Sequence, residues 1–252
     1  MEAPEKRRML GIKFDRTSRR GVLDFIAAHA GKGVQRIINN VNIHAFNLAY
    51  SDQEFHHILN NSDLVFVDGV GVKWGGNIKG IDVGGRITPA DLVDELMEIC
   101  ADNNWPIFLL GDTDEVLKDF VNKAAKEHPN TVFAGQHHGF FEKQGPESDK
   151  VVELVNQSNA EVVLTFMSMP LQEKWVWNNK ESLKPVVYFA AGGLARIYTG
   201  HIARGPKWMT DNGLEWLYRL AVQRRKVWRR YVIGNPLFLW RVLLERLGIL
   251  KF

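Results

Sequence analysis

Between Gly21 and Gly193 the chain alternates apolar runs of strand length with longer amphipathic segments. Few folds accommodate that alternation: it is the pattern of a parallel sheet wrapped by helices. Six strands are expected, at residues 35–40, 63–67, 106–110, 131–135, 162–166 and 186–190. The stretch 91–103 reads as one of the intervening helices, with Thr88 and Pro89 near its start and Leu92, Val93, Leu96 and Ile99 at helical spacing. The fold class is therefore α/β, a Rossmann-like parallel sheet with helices on both faces. After Gly192-Gly193 the texture turns basic and aromatic at helical spacing with no further strand signal. A domain boundary is expected near residue 195, giving a sheet domain over 1–194 and a helical, basic appendage over 195–252. Because the strand pattern is complete by then, the sheet domain is expected to fold without the appendage. Residues 142–150 (EKQGPESDK) read as a polar loop.

A chain of 252 residues with 45% hydrophobic content suits one such domain plus an appendage. The single cysteine, Cys100, excludes a disulfide framework and a cysteine zinc cluster, and points to a reducing compartment such as the cytoplasm. Lys6, Arg7 and Arg8 are followed by too few apolar residues for a signal-peptide core or a spanning helix. The apolar stretch 231–252 is broken by Arg241, Glu245, Arg246 and Lys251, so it can lie on a bilayer but is not expected to cross one.

The net charge of +3 is unevenly spread. Residues 201–252 carry eleven Lys or Arg against three Asp or Glu, or +8, which leaves −5 for residues 1–200. Trp208, Trp216, Trp228 and Trp240 fall in the same stretch. Tryptophan mixed with arginine and lysine is favoured at anionic lipid headgroups, whereas no nucleic-acid-binding motif accompanies the charge.

Two strand ends carry polar residues that would meet at the carboxyl edge of a parallel sheet, where open α/β folds bind ligands: Asn40-Val41-Asn42 and Asp68-Gly69. Asp68 there is either a turn residue or a general base for a sugar hydroxyl. Asn40 and Asn42 are either sugar-binding amides or helix caps. The glycines of DGVGVKWGG would let backbone approach a ligand, with a helix N-terminus to receive a diphosphate, but their GxGxxxG spacing departs from the dinucleotide fingerprint. His137-His138 lacks a nearby carboxylate arranged as a metal triad. Gln172-Glu173 follows Pro170 at a probable helix start, where Glu suits the first turn and Gln can face a pocket. In GLEWLYRLAVQRRKVWRRYVIGN, Arg219, Lys226, Arg229 and Arg230 recur at intervals that place several cations on one helical face. That face is either solvated or, given the interleaved Trp216, Tyr218, Trp228 and Tyr231, an interface for diphosphate or anionic lipid.

The ordered series NVNIHAFNLA, DLVFVDGVGV, RITPADL, IFLLGD, GQHHGFF, PLQEKW, AAGG, RGPKW and GLEWLYRL, with RRY after it, resembles the WecG/TagA/CpsF glycosyltransferase family over about residues 35–240. The resemblance implies a metal-independent, inverting transferase with a Rossmann-like domain and a C-terminal appendage that completes the site at the membrane. It implies transfer of N-acetylmannosamine, its uronic acid or, in some members, glucose, from a UDP-sugar to a polyprenyl-diphosphate-linked sugar. Position by position, it makes Asp68 the catalytic residue, and Asn42 and Gln172 substrate-binding. Asn40 stands where the family has threonine, and Arg219, Lys226 and Arg229 fall on the arginines thought to grip the acceptor diphosphate. Further departures are Met167-Ser168-Met169 in place of a glycine-rich turn and Gln223-Arg224 in place of Glu-Pro.

The expectation is thus a glycosyltransferase of bacterial surface polysaccharide biosynthesis, peripheral on the inner face of the cell membrane. It needs no cofactor or metal and no nucleic acid, it meets an anionic membrane surface, and a homo-oligomer is compatible with it. The rival readings are a nicotinamide-dependent oxidoreductase and a non-enzymatic lipid- or nucleic-acid-binding module.

Overall fold

The computed structural model describes residues 5–211 and 213–252; the side chains of Lys207, Asp211 and Lys226 also lie outside the described set. An N-terminal hairpin, β1 (Glu5–Met9) and β2 (Ile12–Arg16), precedes α1 (Arg19–His29). Then follow β3 (Arg36–Val41), α2 (Ile43–Ser51), α3 (Gln53–Asn61), β4 (Leu64–Val67) and α4 (Val70–Lys79). The next elements are α5 (Val93–Asp102), β5 (Ile107–Gly111), α6 (Asp114–Glu127), β6 (Phe133–His137), α7 (Pro146–Gln157), β7 (Val162–Phe166), α8 (Leu171–Asn178), β8 (Val187–Ala190) and α9 (Leu194–Tyr198). The appendage contributes α10 (Lys207–Asp211), α11 (Glu215–Val222), α12 (Arg224–Trp228), a π turn (Arg229–Ile233) and α13 (Gly234–Arg246).

The six expected strands form one parallel sheet in the order β4-β3-β8-β7-β5-β6. Side chains alternate across it. Ile38, Leu64, Phe66, Ile107, Leu109, Val162, Leu164, Val187 and Phe189 point into one core with α1, α5, α6 and α9. The intervening Ile37, Phe108, Leu110, Val163 and Tyr188 join α7 and α8 on the other face, and Val41, Val65 and Val67 join α2 and α13. Strands β4, β5, β7 and β8 are buried along their whole length and almost entirely apolar, which is why their runs stood out in the sequence. The helix expected over 91–103 begins as a 3₁₀ turn at Pro89–Asp91 and continues as α5.

Neighbouring β3 and β8 send their continuations to opposite faces: α2 packs into the core shared with α13, while Leu194, Ala195 and Tyr198 of α9 pack into the core of the opposite face. The diverging loops leave a crevice at the carboxyl edge, the topological switch point of a doubly wound sheet. Gly69 makes the exit from β4 at φ 89°, a conformation open mainly to glycine, and hands the chain to α4.

The hairpin and the last helix depart from the sequence reading. EKRRM is too charged to stand out as a strand, yet it pairs along its length with IKFDR, and Met9, Ile12 and Phe14 are fully buried. Helix α13 is no detachable appendage, because Phe238 and Val242 are fully buried among Met9, Phe46 and Val72. Glu245 ties it down further, accepting from the backbone N–H of Leu10 at 2.9 Å and pairing with Lys79 at 2.7 Å. Gly75 makes this packing feasible, since a Cβ there would lie 2.7 Å from the Phe238 ring. The expectation that a cut near residue 195 spares the sheet domain therefore gives way: such a cut would uncover one of its cores. Phe238→Ala should lower stability by about 3–5 kcal/mol, read by urea unfolding, through loss of a large buried ring and the void left behind. A variant truncated before residue 234 should show no cooperative transition.

Candidate active site at the carboxyl edge of the sheet

The backbone N–H of Asp68 donates to Val41 O at 2.9 Å, continuing the β3–β4 ladder by one bond, so the carboxyl emerges beside the end of β3. There Asn42 caps α2, its Oδ1 accepting from the N–H of Ala45 at 3.1 Å, while its Nδ2 faces Asp68 Oδ2 at 3.5 Å. Asn42 is thus a helix cap, as one of its two sequence readings had it, and also a neighbour of Asp68. Burial raises the Asp68 carboxyl to about 6, with Glu215 adding to the rise and the Asn42 amide, Arg230 and Arg219 opposing it. A carboxylate so adjusted is still mostly ionised at neutral pH and is a stronger proton acceptor than an ordinary aspartate.

The cover over this carboxyl comes from the appendage. Arg219 of α11 approaches the turn after β8, with its Nη2 3.9 Å from where a Cβ on Gly193 would stand. Arg230 in the π turn acts on both Asp68 and His44, and burial together with that guanidinium pushes His44 down to about 4, leaving a neutral imidazole. Among the described residues, the Nε of Arg219 and the Nε1 of Trp216 are buried with no hydrogen-bond partner. Trp216 meets Trp74 of α4 edge-on at 6.5 Å, which seats α11 on the helix after β4, and lies 5.9 Å from Tyr231, which ties α11 to the π turn.

Ion pairs fix α11 in place. Glu215 lies 3.6 Å from Arg86 and 3.7 Å from Arg204, and both arginines reach Asp91, Arg204 at 2.8 Å and Arg86 at 3.7 Å. Arg86 also donates to Thr210 O. The network joins RITPADL, RGPKW and GLEW, three segments distant in sequence.

The remaining expected residues are placed as follows. Asn40 is buried, and its Nδ2 donates to Ala190 O at 2.8 Å, which joins the ends of β3 and β8. Gln172 is also fully buried, with both amide ends engaged by Gly192 and Glu173. Arg229 is exposed, its guanidinium 5.4 Å over the Trp228 ring, and its neighbour Arg230 is the one that faces Asp68. The side chain of Lys226 lies outside the described residues. Gly71 and Gly75 serve close helix packing, against Ile43 and Phe238, rather than a ligand. Sequence reasoning passed over His44 and Glu215, although NVNIHAF and GLEW carry them, and it placed Arg230 on the cationic face without matching it to the acceptor-gripping arginines.

A second concavity of about 640 Å³ opens at the ends of β5, β6 and β7. Its wall includes the Asp112–Arg196 pair, bonded twice at 2.7 and 2.8 Å, with Ser168 and the outward ring of Phe140. Two groupings of carboxylates with a histidine, Asp94-Glu127-His128 and Glu115-Asp119-His201, lie along α5, α6 and the segment after α9, and neither includes Asp68.

The family model for the glycosyl transferase WecG/TagA/CpsF family matches residues 7–251. The chain belongs to this family. It is a glycosyltransferase, which displaces the oxidoreductase and binding-module alternatives. Among its relatives is the N-acetylglucosaminyldiphosphoundecaprenol N-acetyl-beta-D-mannosaminyltransferase of Bacillus subtilis (strain 168), 27% identical over 88% of this chain and 85% of that protein. The protein of the same name from Staphylococcus aureus (strain NCTC 8325 / PS 47) is 25% identical over 93% of this chain and 91% of its own.

Burial sets most of the Asp68 shift, and the charges around it adjust the result. Glu215→Gln should move the acidic limb of kcat/KM against pH to lower pH, because a carboxylate that raises Asp68 is gone. Arg230→Gln should move it to higher pH. The pH profiles of the two variants, compared with the parent, test both signs.

Proposed function

We propose that this glycosyltransferase moves a hexose or N-acetylhexosamine from a UDP-sugar to a polyprenyl-diphosphate-linked sugar, in bacterial surface polysaccharide biosynthesis. N-acetylmannosamine, its uronic acid and glucose are the candidate donors. The observation that carries the reading is Asp68, a carboxyl adjusted upward at the switch point and faced by two arginines. The names of the relatives support an acceptor of the N-acetylglucosaminyl-diphosphoundecaprenol kind. The concavity beside Asp112–Arg196 has the size of a nucleotide site and supports a nucleoside-diphosphate donor.

The reaction is a single inverting displacement. The acceptor hydroxyl oxygen attacks the anomeric carbon as its proton passes to Asp68 Oδ; the bond from that carbon to the UDP β-phosphate oxygen breaks, and its electron pair leaves with UDP. Asn42 orients Asp68 and the sugar. Asn40 and Gln172 shape the crevice wall from within. Arg219 and Arg230, with Lys226 and Arg229 farther along the appendage, neutralise diphosphate charge without a metal, since fixed guanidinium groups can stabilise a leaving phosphate in a site shielded from water.

The enzyme works against an anionic membrane surface on the cytoplasmic side. Among the described residues no helix is long and apolar enough to cross a membrane. The appendage instead leaves large apolar side chains outward: Trp208, Trp228, Trp240, Leu247 and Ile249 are all more than 40% exposed. Such a surface beside the +8 charge of residues 201–252 suits reversible docking on anionic lipid.

Asp68→Asn should lower turnover roughly 100-fold or more while leaving UDP binding by calorimetry intact, and parent activity should rise with pH through about 6 as the carboxyl ionises. The assay is a donor screen with a polyprenyl-diphosphate-linked sugar, product read by mass spectrometry, with and without EDTA; activity should survive chelation. Near-normal turnover of the Asp68→Asn variant would remove Asp68 from the mechanism. In vesicle flotation the parent should rise with anionic liposomes at low salt and detach at high salt, and Trp240→Glu with Leu247→Glu should weaken flotation at low salt. Flotation indifferent to both would refute the docking face.

A further inference from the structure

Beneath the crevice, α8 presents two consecutive buried polar residues. Gln172 is 0% and Glu173 1% exposed. Gln172 Oε1 accepts from the N–H of Gly192 at 3.2 Å, and Gln172 Nε2 donates to Glu173 Oε1 at 2.8 Å. Glu173 Oε2 is buried with no hydrogen-bond partner among the described residues. Glu173 takes part in no ion pair among the described residues, and the charged groups near its helix are engaged elsewhere. From the α3 side, Asp52 and Glu54 hold Lys174 at 2.8 and 2.7 Å, and His57 stacks on Trp177. Tyr188 of β8 donates to Lys184 O, α7 offers Ser148 Oγ, which accepts from Trp175, and Arg219 stands beyond the Gly192–Gly193 turn.

An ionised carboxylate in such a place would be an uncompensated buried charge, and proteins avoid that cost by keeping the group protonated. The Gln172 amide has one workable orientation between these partners. Reversed, it would set its oxygen against the carboxyl oxygen and its NH₂ against the Gly192 N–H, losing both bonds. Gly192 and Ala191 also donate to Thr165 O, so the turn after β8 is held from two sides, directly under Arg219.

Resting on the transferase reading above, we propose that Glu173 is a positioning residue that acts as a neutral acid: it fixes the Gln172 amide, which holds the Gly192–Gly193 turn at the height that Arg219 and the substrate diphosphate require. The proton sits on Oε2 while Oε1 accepts from Gln172. Ionisation would leave an uncompensated charge buried beneath the Gly192–Gly193 turn, and relieving it would move the Gln172 amide and the turn from the position the substrate requires. Burial with no cation to offset it raises Glu173 to about 7, so the ionised form enters on the alkaline side of neutrality. The parent should lose kcat/KM as pH rises through about 7, chiefly through a rising KM for the phosphorylated substrates.

The experiment compares parent, Glu173→Gln and Glu173→Leu. Glutamine keeps an acceptor oxygen for Gln172 and cannot ionise: it should restore turnover to within about threefold of the parent at pH 6 and abolish the alkaline limb. Leucine fills the volume but gives Gln172 nothing to bond, and should lower kcat/KM at least tenfold at every pH. An alkaline limb unchanged in Glu173→Gln, or Glu173→Leu kinetics equal to the parent, would overturn the proposal. A difference infrared titration, parent minus Glu173→Gln, reads the protonated carboxyl directly and needs no turnover; a Glu173 already ionised at pH 5 would also overturn it. If the infrared band titrates near 7 but no sugar is transferred with any donor, the transferase chemistry assigned above fails and the neutral acid stands.

Discussion

The ring of Phe238 occupies space that exists because residue 75 is glycine, and much of the site's geometry depends on that fit. Phe238 and Val242 seal the core formed by the hairpin, α2 and α4, which pins α13 to the sheet domain. The chain reaches α13 through the π turn, so anchoring one fixes the other, and Arg230 is delivered to the rim above Asp68. The ion pairs of Glu215 with Arg86 and Arg204 fix the preceding helix in the same way. Cationic side chains lose considerable rotamer freedom when they grip a phosphate, and a prepacked scaffold meets part of that loss before substrate arrives.

The same burial that shapes the site sets its proton chemistry. Asp68 and Glu173 are both raised by desolvation, but they are surrounded differently. Asp68 has Asn42, Arg219 and Arg230 to draw it back, so it remains a usable base near neutrality. Glu173 has one amide bond and no cation, so it climbs higher. The two carboxyls thus differ in environment, and pairs of titratable groups separated in this way are the pattern from which acid and base roles are assigned.

The sheet was legible in the sequence because most of its strands are buried on both faces and leave apolar runs, and each of the six appeared within two residues of its expected start. The carboxyl-edge meeting of Asn42 and Asp68 was legible for the same reason, since strand ends in a parallel sheet share an edge. What escaped depended on distant partners. EKRRM shows no strand pattern because one face of the hairpin is solvated, and its pairing is set by IKFDR. The glycines of DGVGVKWGG carry the same letters whether a ligand or a helix approaches them; only the position of Ile43 and Phe238 decides. Arg229 and Arg230 are adjacent and chemically identical in sequence, and the π turn, with its extra residue per turn, determines which of them faces inward.

The departures from the family pattern fall into two classes once they are placed. Asn40 lies beneath the crevice, where its amide closes the gap between β3 and β8 by donating to Ala190 O. A threonine there would be shorter, so exchanging the two should alter the spacing of strand ends before it alters any sugar contact. Met167 and Ser168 are different in kind, because they line the open concavity at the ends of β5, β6 and β7. Replacing a glycine-rich turn there by larger side chains changes the shape of a surface that a donor nucleotide or its sugar would touch directly. Selectivity for one hexose over another rests on small differences in such contacts, of the order of 1–3 kcal/mol per methylene-sized change. Met167 and Ser168 thus stand on an open wall that a bound ligand could touch, whereas the Asn40 amide is engaged in joining β3 to β8.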